Sequence, residues 1–196
     1  MSKTFALFPV KRFGRRFNAL LPLACFGFTL SACFVAQAIQ LQDGTSSFAA
    51  PPTLVATTTT FKAIYSPSTY FFTIQVPATA GEALQRLTLT QETGSEAIAF
   101  RTQDCYAYEG TRDREGRQLP AIVTQDAQTK ALTAAFSPPL PPGTLVTLSL
   151  RPRQNPSISG IYEFQVVAFP TGEKPSGQVL GYGRLQFYSS MGGGAR

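Results

Sequence analysis

The feature that most constrains the fold is a short alternation of apolar and polar side chains that recurs along the chain. In residues 69–76, Tyr70, Phe72, Ile74 and Val76 fall on one face, and Thr73 and Gln75 fall on the other. A period of two is typical of a strand with one buried face. The alternation recurs at residues 132–136, 145–150 and 161–169, and weaker strands are predicted at residues 54–61, 87–91, 97–101, 121–125 and 183–188.

Turn-forming residues separate these stretches. Residues 92–96 (ETGSE) predict a hairpin turn with Gly94 at positive φ, and residues 138–143 (PPLPPG) argue against a helix or a central strand. Only residues 79–86 have room for a helical turn, and Gly181 and Gly183 indicate a β-bulge in the last strand. We therefore predict an all-β fold, an antiparallel immunoglobulin-like β-sandwich of about seven to nine strands, with a small β-barrel as the alternative.

The N-terminal part has the order of a secretory signal, because five basic residues precede an uncharged run from Phe17 to Gln42. Two processing signals overlap in residues 30–38 (LSACFVAQA). We predict cleavage after Ala38, and the alternative is a lipoprotein anchored through Cys33. The expected organisation is a signal peptide at residues 1–38, a single β-sandwich domain at residues 39–190 and a flexible Gly-rich tail at residues 191–196. The expected location is periplasmic or secreted, with no membrane insertion after cleavage.

Most of the net positive charge of the chain lies in the predicted signal peptide. The formal net charge is +6, but residues 39–196 carry twelve basic and eleven acidic side chains. A nearly neutral domain lacks the broad basic surface that binds nucleic acid, so no nucleic-acid partner is expected.

Cysteine and histidine limit the chemistry. Cleavage after Ala38 leaves Cys105 as the one cysteine, so an intrachain disulfide is excluded and Cys105 is predicted to be a core residue. The sequence has no histidine, which excludes Ser-His-Asp and Cys-His catalysis and imidazole zinc sites. No serine is followed three residues later by lysine. We therefore expect no catalytic residues, no cofactor and no metal.

The most charged stretch is residues 109–117 (EGTRDREGR), in which acids and arginines alternate. This pattern favours a solvated hairpin connection, and the functional alternative is a polar recognition loop at one end of the sandwich. The two tyrosines just before it are either a stacking face for a sugar or a peptide or one face of a strand. The candidate recognition residues are Tyr106, Tyr108, Glu109, Arg112, Asp113, Arg114 and Arg117.

Several segments resemble a known family. They are IQLQDGT (39–45), LQRLTLTQ (84–91), YEGTR (108–112), FSPPLPPGTLVTLSLRPRQNP (136–156) and GIYEFQVVAFPTGEKPSGQVLGYGRLQFY (160–188). Together they are similar to a family of exported cyanobacterial proteins catalogued as a domain of unknown function. The resemblance implies a location outside the cytoplasm and supplies no known active site.

These observations favour a non-enzymatic interaction or structural module of the cell envelope or the extracellular space. Its partner would be an envelope protein or a polysaccharide, and its oligomeric state is left open. One alternative is a hydrolase that acts on envelope polysaccharide through a pair of carboxylates. The other is an envelope protein that assembles through its edge strands.

Overall fold

The computed structural model describes residues 39–40 and 44–189. The predicted signal peptide, the cleavage point at Ala38, the lipidation candidate Cys33 and the predicted tail at residues 191–196 lie outside the described residues. The described strands are β1 (Ile39–Gln40), β2 (Thr45–Ser47), β3 (Thr53–Thr59), β4 (Tyr70–Gln75), β5 (Leu84–Thr93), β6 (Tyr106–Thr111), β7 (Arg114–Leu119), β8 (Ala121–Gln125), β9 (Leu132–Leu140), β10 (Leu145–Leu150), β11 (Gly160–Pro170), β12 (Lys174–Pro175) and β13 (Gln178–Phe187).

Ten of these strands form two antiparallel sheets. The front sheet has the order β3-β4-β10-β6-β7, and the back sheet has the order β13-β11-β5-β9-β8. The short strands β1, β2 and β12 form a small third sheet. The prediction of an all-β, antiparallel, immunoglobulin-like sandwich is confirmed. The two large sheets hold more strands than expected, because the charged stretch at residues 109–117 belongs to a hairpin.

The core lies between the inner faces of the two sheets. Phe72 of the front sheet packs edge-on against Phe164 of the back sheet, with ring centroids 5.8 Å apart. Tyr70 packs in the same way on Phe100, and it also contacts Phe187. Rings of this size dominate the energetics of a core, and edge-to-face pairs add about 0.5–1.5 kcal/mol beyond the area they bury. The alternation that predicted the strands is therefore the pattern of side chains that fill this layer.

The four clear alternations are confirmed as β4, β9, β10 and β11, and four of the weaker ones are confirmed as β3, β5, β8 and β13. The predicted bulge is also present. Val166 pairs with Gly181 whereas Val167 pairs with Val179, so Leu180 is the extra residue of β13. Residues 79–86 do not form a helical turn, since β5 already begins at Leu84.

The predicted hairpin at residues 92–96 is wrong, because residues 97–101 do not pair with β5. Two glutamine side chains bind part of that backbone, and Phe100 forms an isolated antiparallel bridge with Pro152. Gln91 accepts a hydrogen bond from Ile98 N (3.0 Å) and donates one to Glu96 O (2.8 Å). Gln125 accepts one from Phe100 N (3.0 Å). Arg153 N donates to Ala99 O (2.9 Å) and Arg101 N donates to Arg151 O (2.8 Å), so backbone and side-chain bonds hold the segment as it crosses from β5 to β6.

The proline-rich residues 138–143 are predicted to form neither a helix nor a central strand, and the prediction of no central strand is wrong for residues 138–140, since β9 lies between β5 and β8. Strand β9 continues through Pro138 and Pro139 to Leu140. Its neighbour β8 begins at Ala121, which pairs with Phe136. Beyond Phe136 the ladder with β8 has ended, so the missing N–H groups of the prolines break no hydrogen bond to that strand.

Candidate functional site

The candidate recognition loop is a β-hairpin, as the favoured interpretation predicts, made of β6 and β7, and it bends over the outer face of the front sheet. The bend is at Gly110, whose φ is +105°, a value that favours glycine. Thr147 in β10 donates a hydrogen bond to Gly110 O (2.6 Å), and it shares another with its cross-strand neighbour Thr73 (2.9 Å). The hairpin thus covers two threonines on the face of the sheet that points away from the core, and both are buried.

The two tyrosines of the predicted stacking face lie at the root of this hairpin. Tyr108 is only 1% exposed, and burial raises the pKa of its hydroxyl group. Tyr106 is half-buried, and its ring centroid is 5.9 Å from that of Tyr108. The structure therefore contradicts the prediction for Tyr108, whose ring is not available to stack on a ligand. The physical reason is that the outer face of the sheet is covered.

The charged candidates divide into two groups. Glu109 and Arg117 form an exposed ion pair (3.6 Å), and Asp113 and Arg114 are exposed at the hairpin tip. Exposed pairs of this kind are worth about 0–1 kcal/mol. Arg112 behaves differently from the other four. It reaches back across the front sheet, where its guanidinium lies 5.2 Å from the ring centroid of Phe71 and donates to Thr59 O in β3 (3.2 Å).

Arg112 is one wall of a groove at the edge of the sandwich, where β3 of the front sheet meets β13 of the back sheet. We call this the basic groove. Its volume is about 520 Å³, and it is lined by Thr57, Thr58, Thr59, Lys62, Arg112, Arg184, Leu185 and Gln186. The lining contains three cations and no acid. Ion pairs of the described residues join Arg101 to Asp104 and Arg117 to Glu109, so neither involves these cations. The cross-strand neighbour of Arg184 is Glu163.

The basic groove ends at the loop that joins β3 to β4, residues 60–69, which we call the apical loop. Asn155, which is 1% exposed, holds this loop in place. Its side-chain amide donates to Phe61 O (3.0 Å) and Ala63 O (2.8 Å), and its Oδ1 accepts from the Tyr70 hydroxyl (3.0 Å). Its backbone N–H donates to Ser66 O (2.9 Å). Burial raises the pKa of Tyr70 far above its usual range, so this hydroxyl stays protonated and donates.

The apical loop presents large apolar side chains to solvent. Phe61 is 60% exposed and Tyr65 is 61% exposed, and Tyr188, whose N–H donates to Lys62 O (3.0 Å), is 51% exposed. Tyr65 has a φ of +58°, in the left-handed region that an aromatic residue rarely adopts. Its N–H donates to Pro156 O (3.1 Å), which fixes the loop at that position. A rigid backbone here displays exposed aromatic rings beside Lys62.

Cys105 is a structural residue, as predicted. Its thiol donates to Arg101 O (3.3 Å) and accepts from Arg151 N (3.2 Å). It is buried, and burial raises the pKa of the thiol. A raised pKa keeps the sulfur protonated at neutral pH, and the thiolate is the nucleophilic form.

Several of the carboxylates hold the structure together. Glu96 accepts hydrogen bonds from Ser157 N, from Ser157 Oγ (3.0 Å) and from Ile158 N (3.2 Å). Asp126 accepts bonds from Gln128 N (2.8 Å) and Thr129 N (2.7 Å) within the turn between β8 and β9. Two other acids, Asp104 and Glu115, line one shallow depression of about 400 Å³ beside Cys105. Asp104 and Glu115 are therefore the candidate carboxylate pair for the alternative hypothesis of a hydrolase.

Within the part of the chain that the structure describes, no three His, Cys, Asp or Glu side chains are grouped as a metal site would require. The same residues include no helix that is long and apolar enough to cross a membrane.

The sequence reasoning missed Lys62, Arg184 and Asn155, because each looks like an ordinary polar residue of a loop or an outer strand face. One signal was available for Asn155. It lies between Arg153 and Pro156 in a turn-rich segment, where a side chain that hydrogen-bonds to nearby backbone is common. No sequence signal places Arg184 beside residues 57–59, since they come from opposite ends of the domain.

Comparison with solved structures finds matches at low sequence identity and low TM-score. One match is the collagen-binding domain of a Staphylococcus aureus adhesin, with 6% identity, a TM-score of 0.40, and coverage of 69% of this chain and 98% of that one. The structure of the RrgA Jo.In complex matches with 14% identity and a TM-score of 0.41, and the match covers 67% of this chain and 79% of that one. BcpA, the major pilin subunit of Bacillus cereus, matches with 8% identity and a TM-score of 0.43 over 70% of this chain and 40% of the pilin.

Comparison with curated protein sequences finds no significant match. A scan against family models matches residues 45–187, which include every strand of the two large sheets, to the family described as "Protein of unknown function (DUF2808)". This match confirms the resemblance to a family defined only as a domain of unknown function, and the cyanobacterial origin stays a prediction. The chain is a member of the DUF2808 family.

Proposed function

We propose that the protein is an exported, non-enzymatic binding module of the cell envelope that contacts its ligand through the apical loop. The observation that carries this proposal is the display of Phe61 and Tyr65 on a backbone fixed by Asn155. Exposed aromatic rings are common anchors of binding surfaces. A surface that is already ordered loses little conformational entropy when it binds.

The described cysteine and several acids support a role without catalysis. The thiol of Cys105 is buried, and Glu96 and Asp126 accept hydrogen bonds that fix loops. Asp104 forms an ion pair with Arg101 (3.4 Å). These acids therefore make contacts within the protein, whereas the side chains of Phe61 and Tyr65 are exposed to solvent.

The test is binding of the purified protein to polysaccharide and peptidoglycan prepared from the cells that produce it. We expect saturable binding, and we expect Phe61→Ser/Tyr65→Asn to weaken it at least tenfold, because both anchors are removed. Asn suits the left-handed backbone of residue 65. The matched control is Ile122→Ser on β8, which removes a side chain that is 68% exposed away from the apical loop. Absence of saturable binding, or equal loss in the control, would refute the proposal.

The same preparations separate the two alternatives. Release of reducing ends that Asp104→Asn/Glu115→Gln abolishes would favour a carboxylate-dependent hydrolase acting in the depression beside Cys105. Elution of the purified protein as an oligomer would favour assembly through edge strands. The edge strands are β3 and β7 in the front sheet and β8 and β13 in the back sheet. We expect a monomer that releases no reducing ends.

A further inference from the structure

We propose that the basic groove binds the acidic groups of an anionic polysaccharide, with a carboxylate or a sulfate held between Lys62, Arg112 and Arg184. This inference rests on the proposed function and names the class of its ligand. It concerns a different part of the surface from the aromatic anchors, so the two can be tested with separate variants.

The three cations come from three separate segments and converge on one groove. Arg112 is carried by the tip of the β6–β7 hairpin, Arg184 by β13, and Lys62 by the apical loop. Arg112 is held in place by Phe71 and by Thr59 O, so its guanidinium is oriented before a ligand arrives. An arginine offers five N–H donors in a fixed planar array, and one bond to Thr59 leaves donors for an anion.

The alternation of β13 explains why Arg184 faces outward at the groove. Gly183 and Leu185 point inward and are buried, so the side chain between them points to solvent. A Cβ atom at position 183 would lie 2.7 Å from Thr57 Oγ1, which shows how closely β13 approaches β3 there. The glycine thereby lets the two edge strands meet and brings Arg184 beside residues 57–59.

The remaining lining is suited to hydroxyl groups. Thr58 and Gln186 are exposed and line the groove. Both can donate and accept hydrogen bonds, as sugar hydroxyls do. Thr59 contributes shape rather than binding capacity, because its hydroxyl already bonds to Ser68 Oγ (2.6 Å) and to Phe61 O (3.1 Å). A volume of about 520 Å³ lies in the range of small-molecule sites, about 300–1,000 Å³.

The neighbourhood of the groove favours a polysaccharide chain over other polyanions. Lys62 is both a wall of the groove and a neighbour of the exposed rings of Phe61 and Tyr188. A chain of acidic sugars alternates charged groups with apolar ring faces, which matches cations that lie beside aromatic side chains. A membrane surface or a nucleic acid needs a broad basic face, whereas residues 39–196 carry twelve basic and eleven acidic side chains.

The experiment measures binding of the immobilised, purified protein to polymers that differ only in charge. Dextran sulfate is compared with plain dextran, and polygalacturonate is compared with its methyl ester. We expect saturable binding to at least one acidic polymer, and binding to the matched neutral polymer that is at least tenfold weaker. The sulfate and carboxylate arms decide which acidic group is preferred.

The variant Lys62→Gln/Arg184→Gln removes two groove cations, and Lys130→Gln/Lys174→Gln is the control with the same change in net charge. Lys130 lies in the β8–β9 turn and Lys174 in β12, and neither lines the groove. We expect the groove variant to bind the acidic polymer about tenfold more weakly or worse, since it removes two of the three cations that line the groove. The control should stay within twofold of the unaltered protein. Circular dichroism confirms that both variants are folded.

Equal weakening in the two variants would overturn the inference, because it would show binding to net charge alone. Binding to vesicles of phosphatidylglycerol that the groove variant loses, without binding to either acidic polymer, would assign the groove to lipid instead. If envelope polysaccharide binds and only Phe61→Ser/Tyr65→Asn weakens it, the inference fails and the proposed function stands. If the unaltered protein binds no polysaccharide in either experiment, both fail.

Discussion

Replacement of Asn155 by alanine is the sharpest test of how the apical loop is held. The change removes three side-chain hydrogen bonds, with the Tyr70 hydroxyl, Phe61 O and Ala63 O. It leaves the bond from the backbone N–H of residue 155 to Ser66 O. The variant therefore isolates the amide side chain from the path of the main chain.

The magnitude follows from what each partner retains. The Tyr70 hydroxyl is buried and loses its acceptor, and such a group costs about 1–3 kcal/mol when it is left unsatisfied. Phe61 O keeps bonds from Thr59 Oγ1 (3.1 Å) and Ser68 Oγ (3.3 Å), so its loss is small. Ala63 O loses a bond of ordinary strength, about 0.5–1.5 kcal/mol. We expect Asn155→Ala to lower the free energy of unfolding by about 2–4 kcal/mol.

Chemical denaturation of the purified protein, followed by tyrosine fluorescence and by circular dichroism, measures this free energy. The control is Gln154→Ala, since Gln154 is exposed, and its effect should stay within about 0.5 kcal/mol. A double-mutant cycle with Tyr70→Phe should give a coupling energy of about 1 kcal/mol, because the two side chains share a bond. A loss below 1 kcal/mol in Asn155→Ala, with no coupling, would refute the argument that this amide holds the loop.

Two further predictions concern the other anchors. Burial tends to raise the pKa of Glu96, but the hydrogen bonds from Ile158 and Ser157 outweigh it and lower the pKa below its ordinary 4.5. The stability that Glu96 contributes is therefore present above pH 4.5 and is lost as the pH falls through the lower folded value. We expect the difference in unfolding free energy between the unaltered protein and Glu96→Gln to shrink on acidification below pH 4.5. Hydrogen bonds from Thr129 and Gln128 also lower the pKa of Asp126, but Asp126 contributes equally to both proteins and does not affect this difference. A difference that stays constant from pH 7 to pH 3 would contradict the prediction. Thr147→Val removes the hydrogen bond to Gly110 O, so we expect it to lower the free energy of unfolding by about 1–2 kcal/mol and to speed amide hydrogen exchange in β6 and β7. Unchanged exchange in the hairpin would show that Thr147 does not anchor it.

The sequence predicted the strands well where one face of each is buried in the core. Tyr70, Phe72 and Ile74 alternate with polar residues because β4 packs one face on the back sheet. The same pattern predicts wrongly that Thr73 and Thr147 face water. Both are buried because the β6–β7 hairpin bends at Gly110 and covers them, and a pattern local to one strand carries no information about a later hairpin.

The candidate site was predictable only in part, for the same reason. Arg112 was identified from its charged stretch, but its place in the basic groove depends on the bend at Gly110. Lys62 and Arg184 are separated by more than a hundred residues in the sequence, and pairing in two different sheets brings them to one edge. Local alternation determines which face of a strand is buried. It does not determine which strands become neighbours.

Arg112 connects these features into one surface. Its hydrogen bond to Thr59 O joins the hairpin tip to the end of β3, where the apical loop begins. Thr59 Oγ1 in turn bonds to Phe61 O, and Asn155 bonds to the same carbonyl. The bend of the hairpin, the position of Arg112 and the display of Phe61 therefore rest on one chain of contacts. Because the chain of contacts runs from the groove to the aromatic rings, we expect an anion bound to Arg112 also to stabilise the loop that presents Phe61, so that the two parts of the surface bind one ligand together.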